Sequence, residues 1–495
     1  WTIAHHALSN YYRDAAKSMI GIPLDEVEER IADPQTEIGA GDDAETLRRL
    51  QKELAYLSKL QRKIVTAYYF ENRKQADIAR ELRLPVGTVK WHLFEAKKEL
   101  KRGMDTMRTA GELQYNPIRF HSYGVNGCIG TKSPDEFFRS ALSQNICYCV
   151  RDTAKTVGEI ADELGVSPVY VENEVEFLEE YGFLLAQKKA YIANFLISEP
   201  TAELLTLQDR MYRRAAGLFA DDLYEELTHS GILEDPGILC RQCDGPVTLS
   251  ESPRADWNFL LWTLIPYIAA CSGEKLMDRN ISFDEVATIR PDGGQNIFHA
   301  TVVPDRLVLP EDYVYMKNWS GPMWNGNGER ILWQIDSEWS DRDASRILQY
   351  SEDAKRVLSL YAREQEGRLT REEYTWLAER GYIKTNGDYD GQFQSAWQIV
   401  ILTDKKIQTR LLAIGERIKE SYKETFDALK APYVKAVLAS VPAHLRKVRA
   451  FELQSVFYSD GWFLVHCIAA LLRSGKMKEP TPGQKKALTT LIANA

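Results

Sequence analysis

Lys90, Lys97, Lys98, Lys101 and Arg102 crowd one short stretch of the chain, with Thr88, Trp91 and His92 among them. Cations at this density neutralise phosphates, and hydroxyl, imidazole and indole groups beside them can reach base edges. The chemistry implied is the binding of a polyanion. The charge is local: Ser58 to Arg108 holds 13 Lys/Arg against six Asp/Glu, a surplus of +7 in a chain whose net charge is -9, which leaves -16 for the rest.

Other residue types with chemical potential are less organised. Cys240-Arg-Gln-Cys243 has zinc-knuckle spacing, but no second C-x-x-C follows, and Cys271 and His299 lie far off in sequence, so zinc is a minor candidate and no other cofactor is expected. Trp319, Trp324, Trp333 and Trp339 stand among glycines in a segment that either lines a pocket for a small ligand or peptide or anchors loops in a core. His466, in the apolar run around Val465 to Cys467, reads as a core histidine. No phosphate-binding glycine loop, HExxH, G-x-S-x-G or paired carboxylates tied to a pocket appears, so a non-enzymatic protein is expected. Seven cysteines, odd in number and sparse, argue against a disulfide framework and fit a reducing cytoplasm. No apolar run approaches the ~18 residues needed to cross a bilayer, so no membrane is expected. The chain opens on Trp1 without the layout of a signal peptide, and an upstream segment is expected.

The elements that must position the cations are two helices. Ile78, Ala79 and Leu82, then Val89, Leu93, Ala96 and Leu100, form two apolar stripes broken at "RLP", which predicts a helix-turn-helix whose second helix begins near Pro85 or Val86. That phase turns Gly87, Thr88, Trp91, His92 and Glu95 outward, with Lys90 and Lys97 at the flanks, and Lys98, Lys101 and Arg102 placed to meet phosphates. A shift of 82 residues lays "VGEIADELGVSPVYVENEV", Val157 to Val175, on the same pattern, followed by a predicted two-stranded wing. This copy is stripped of cations: Thr156 to Gln187 has eight acidic residues and no Lys or Arg, so a protein-contact or scaffold role is expected.

The run from Leu57 to Met104, with "YYFEN" at Tyr68 to Asn72 and "LPVGTVK" at Leu84 to Lys90, resembles region 4 of bacterial RNA polymerase sigma factors of the extracytoplasmic-function type. "WTIAHHALSNYYRD", Trp1 to Asp14, is similar to the end of that family's region 2. The resemblance implies core RNA polymerase and promoter DNA as partners. Region 2 would melt the minus-ten element, ending in Tyr11, Tyr12 and Arg13. Region 4 would read the minus-thirty-five element through Pro85, Val86, Gly87, Thr88, Lys90, Trp91, His92 and Lys97. The family's usual turn glycine is Arg83 here, and Trp91, His92, Phe94 and Glu95 replace small or basic residues.

A mainly α, multidomain fold is expected. Its segments are the end of region 2 (1–20), an acidic linker (21–45), region 4 (46–108), a winged-helix-like domain (131–200) and a connecting helix (201–230). An α+β Trp-rich domain (231–345), a second winged-helix-like unit (346–403) and a C-terminal helical segment (404–495) follow. The function expected is an alternative sigma factor whose C-terminal extension regulates it, through an anti-sigma or intramolecular inhibitory contact. The alternative is a multidomain helix-turn-helix activator that never acts as a sigma subunit, since "VKWHL" also resembles the quorum-sensing type of response activator.

Overall fold

A computed structural model describes residues 46, 49–105, 111–242, 256–277, 280–304, 307–315, 323–326, 328–341, 347–385, 395–458 and 460–495. The fold is mainly α, with small sheets, and divides into two units: residues 1–119 with 135–194, and residues 120–134 with 195–495. The expected region 2 end and acidic linker lie outside the described residues.

In the first unit, α1 (Lys59–Val65) starts at Ser58, whose hydroxyl accepts the Gln61 amide while Gln61 Oε1 accepts the Ser58 amide, a capping box. α2 (Gln75–Leu82) stops at Arg83, a left-handed residue with φ 55°. The following amide, Leu84 N–H, reaches back to the Ala79 carbonyl at 2.9 Å. α3 (Val86–Asp105) then buries Val89, Leu93, Ala96 and Leu100 against Ile64, Val65, Ile78 and Ala79. These residues form a core confined to residues 50–104.

The chain passes through β1 (Ser122–Cys128), which belongs to the second unit, and returns to form α4 (Ala141–Cys149), β2 (Lys155–Thr156), α5 (Val157–Leu164), α6 (Pro168–Glu180), β3 (Leu184–Gln187) and β4 (Ala190–Ala193). The three strands form one antiparallel sheet, ordered β2-β4-β3. The 82-residue shift holds to the residue: α5 starts and stops 82 positions after α2, and α6 starts 82 positions after α3. Gly165 takes the left-handed position of Arg83, with φ 64°, and Val166 N–H repeats the bond of Leu84 by donating to Ala161 O at 3.0 Å.

The second unit has one large core. β5 (Leu196–Ser198) leads into α7 (Ala202–His229), which buries nine residues and packs against later helices, so the segment read as a connector is a central helix. β6 (Ile238–Leu239) precedes α8 (Trp257–Cys271), buried on every side from Phe259 to Ala270. β7 (Thr288–Ile289) and β8 (Gln295–Thr301) join β1 and β5 in a sheet. Next come β9 (Met323–Gly326), β10 (Arg330–Gln334), α9 (Ile347–Gln365), α10 (Arg371–Glu379), the paired β11 (Ile383–Thr385) and β12 (Ser395–Trp397), and β13 (Val400–Leu402). The chain ends with α11 (Lys405–Ser421), α12 (Lys423–Ser440), α13 (Arg446–Leu453), α14 (Gly461–Arg473) and β14 (Thr490–Asn494). A five-stranded sheet in the order β6-β13-β14-β10-β9 draws strands from 231–345, 346–403 and 404–495 alike. Those three stretches therefore share one core, and the C-terminal stretch ends as a strand parallel to β13.

That core contains a buried lysine with a testable signature. Lys419 on α11 is fully enclosed, its Nζ donating to the Ala269 and Ser272 carbonyls at 2.5 and 3.0 Å, beneath the rings of Phe219, Tyr458 and Phe463. Burial pulls its ammonium down to about 7, against 10.5 for an ordinary lysine. Between these values the unfolded chain holds a proton that the native state has released, so stability rises with pH from about 7 upward. Asp460, pushed up to about 6 by burial, acts on the acid side: the native state holds the extra proton, and stability falls as pH rises from about 4 to about 6. The melting temperature of this unit is expected to be lowest near pH 6–7 and to climb towards pH 9. In Lys419→Met the alkaline climb disappears, which calorimetry at stepped pH will read.

Candidate nucleic-acid interface

The 3.6-residue period of α3, with its apolar stripe turned inward, leaves an outer face of Lys90, Trp91, Phe94, Lys97, Lys98, Lys101 and Arg102, all exposed. Among the described residues, no carboxylate lies within ion-pair distance of Lys90, Lys97, Lys98 or Lys101. Nearer α2, Arg73 and Lys63 both engage Glu81, which draws the Glu81 carboxyl below its ordinary range, and Arg80 pairs with Asp77. Four lysines unpaired among the described residues thus share α3, while Lys74 and Arg83 at the two ends of α2 are exposed cations as well.

At the start of α3, Pro85, Val86 and Gly87 are exposed and Thr88 is half-buried. A side chain at Gly87 would meet nothing within 4 Å, so the helix entrance is open. Trp91 is 56% exposed and Phe94 65%. The Trp91 ring stands edge-on to His92 at 4.8 Å, and His92 Nδ1 is buried without a hydrogen-bond partner. His92 and Glu95, expected to face outward, are only half-exposed at the edge of the face. Phe94 was not among the expected contacts, although the inward phase of Leu93, Ala96 and Leu100 requires it to point away from the core. Tyr12 and Arg13 lie outside the described residues.

The remaining candidates sit elsewhere. Trp333 is fully buried on β10, its ring edge-on to Tyr267 at 5.2 Å. Trp339 stacks on Tyr315 at 4.2 Å and meets Trp262 at 5.3 Å, so both tryptophans pack within the core of the second unit. Trp319 lies outside the described residues, and Trp324 is described only as the strand partner of Trp333. Cys240 Sγ approaches the Gln398 carbonyl at 3.8 Å, and Cys243 lies outside the described residues.

Among the described residues one group, Asp209, Asp312 and His466, could hold a metal ion, its potential ligand atoms lying within 4.8 Å of one another. His466 is buried, Nδ1 lies 2.6 Å from the Trp462 carbonyl, and Nε2 faces Asp209 and Asp312 at 3.6 and 3.8 Å. Arg213 meets the same two carboxylates at 2.9 and 3.5 Å, and Arg473 holds Asp312 at 2.6 Å. Glu311 also lies 3.8 Å from Arg213, while Asp312 Oδ2 and His466 Nε2 are buried without a hydrogen-bond partner. The group ties α7, residues 311–315 and α14 together through ion pairs, and burial draws the His466 pKa below its ordinary value.

A helix-turn-helix with its own core and a cationic outer face on the second helix has the shape and charge that suit binding to DNA. Residues 47–100 match the family model for Sigma-70, region 4, and the segment is called the region 4 domain after that match. No curated protein and no solved structure matches the chain. No helix among the described residues is long and apolar enough to cross a membrane.

Proposed function

We propose that this chain is an alternative sigma factor of the extracytoplasmic-function type, directing core RNA polymerase to specific promoters from the cytoplasm, with α3 reading the minus-thirty-five element. The observation that carries the reading is the open, unpaired lysine face of α3 within a segment that matches Sigma-70, region 4. The remainder of the chain, acidic overall and far larger than the region 4 domain, regulates sigma activity. Its second helix-turn-helix, completed by the β3–β4 hairpin, serves as a winged-helix protein-contact module, since it has the reading shape without the cations.

The test is promoter-dependent transcription with purified core polymerase, comparing the full chain with a version ending at Arg108, which retains the whole core of the region 4 domain. Higher activity on truncation identifies the extension as inhibitory, and lower activity identifies it as an accessory to binding. If neither version binds core polymerase, the sigma reading fails and the reading as a helix-turn-helix activator takes its place.

A further inference from the structure

The outer side of α6, the side that in α3 is open, is turned onto the region 4 domain within the first unit. Glu172 accepts from Arg62 Nη2 at 2.5 Å, and Glu176 accepts from Lys59 Nζ at 3.1 Å. Glu172 and Glu176 lie one helical turn apart on α6, and Lys59 and Arg62 lie one turn apart on α1, so both pairs close together. The inner pair is largely shielded, with the Glu172 and Arg62 side chains 12% and 21% exposed. Arg62 Nη1 is also held by the Ala55 and Leu57 carbonyls at 2.9 and 3.0 Å, which fixes the guanidinium fork before the carboxylate arrives.

One further observation places the same surfaces together, and another shows the charge that the contact meets. The turn of the second helix-turn-helix, from Gly165 to Pro168, shares a cleft of about 420 Å³ with Lys52 and Tyr56 of the region 4 domain. On β4, Tyr191 has its hydroxyl pKa raised by burial and by the carboxylates of Glu179, Glu176 and Glu172, so negative charge is concentrated at this spot and calls for cations opposite.

We propose that α6 is the recognition helix of a protein contact: its row of carboxylates takes the place of an anionic partner on the Lys59–Arg62 face of α1, in the same chain, and leaves α3 open. An acidic partner that approaches region 4 through α1 must displace α6, whereas DNA that approaches α3 need not. The proposal deepens the regulatory reading above, and only its consequence for transcription rests on that reading.

The contact is tested on the full chain without polymerase. A zero-length carbodiimide joins an amine to a carboxylate at ion-pair distance with loss of water. The expected product is a Lys59–Glu176 cross-link, seen by peptide mass spectrometry and absent from Glu176→Gln. The Lys447–Glu285 pair, at 2.7 Å and similarly exposed, is the internal control. In the Glu172→Arg/Glu176→Arg variant, amide exchange across residues 58–66 is expected to rise severalfold, while in Glu176→Arg alone adding Lys59→Glu, which leaves Arg62 and its carbonyl contacts in place, is expected to reverse the rise. Glu172→Gln/Glu176→Gln, which adds no cation, is expected to change affinity for duplex DNA by less than about twofold. The control cross-link without the Lys59–Glu176 product, or unchanged exchange on charge reversal, overturns the contact. A tenfold or larger gain in DNA affinity in the glutamine variant overturns the claim that α3 stays open. None of these outcomes depends on whether the chain binds polymerase.

Discussion

The triple variant Lys97→Ala/Lys98→Ala/Lys101→Ala is expected to bind duplex DNA roughly 10²–10³ times more weakly than the parent chain at 0.1 M salt. Each cation that neutralises a phosphate adds about 0.9 to the slope of log K against log salt. Three removed together should flatten that slope by about 2.7, and the same exponent, extrapolated from 1 M salt, gives the loss of affinity. The lysines carry this weight because they are exposed and have no carboxylate partner among the described residues, so their charge is available to DNA. Exposed substitutions of this kind shift stability by only about 0.5 kcal/mol, and folding is not at risk. Trp91→Ala and Phe94→Ala supply the contrast: they remove apolar surface without charge, so affinity falls for preferred sequences while the salt slope stays where it was. Fluorescence anisotropy on a labelled duplex across a salt series reads both quantities. An unchanged slope in the triple variant would place the DNA contact away from the outer face of α3.

The region 4 domain was legible in the sequence because each local signal agrees with the fold. Its helices are amphipathic, its stop is marked by "RLP", and its charges lie on one side. Even the departure at Arg83 was readable, since the family's glycine marks a left-handed residue, and Arg83 adopts that conformation at φ 55°. The second unit was harder for physical reasons. α8 is buried all round, so its apolar residues show no period, and "NFLLWTLIPYIAA" reads as readily as strand. β6 and β13 are two and three residues long, too short to show alternation, and β14 pairs with strands that precede it by about 90 and 160 positions, which no local pattern reports. The ion pairs of Glu172 and Glu176 were half legible: the lack of cations on α6 announced a partner other than DNA, but its identity lay 110 residues away in Arg62.

Trp333→Ala is expected to destabilise the second unit by about 3–5 kcal/mol, the cost of deleting a large aromatic from a packed core and leaving a cavity. Trp333 is fully buried, lies on a strand with a neighbour on each side in the five-stranded sheet, and meets Tyr267 of α8 edge-on. The cavity would therefore open where the sheet packs on the most enclosed helix of the unit, and neither element can collapse into it without giving up other contacts. Trp333→Phe keeps an aromatic ring at the site and should cost less than half as much. A tryptophan lining a ligand pocket behaves otherwise: its wall is already open on one side, truncation costs little stability, and the loss appears in binding. Denaturant titration of the two variants, followed by circular dichroism, distinguishes the cases. A loss below about 1 kcal/mol for Trp333→Ala would return this residue to the pocket reading. The expected large loss instead assigns the tryptophan to the cohesion of a core that joins residues 201–230 with all three later sequence segments.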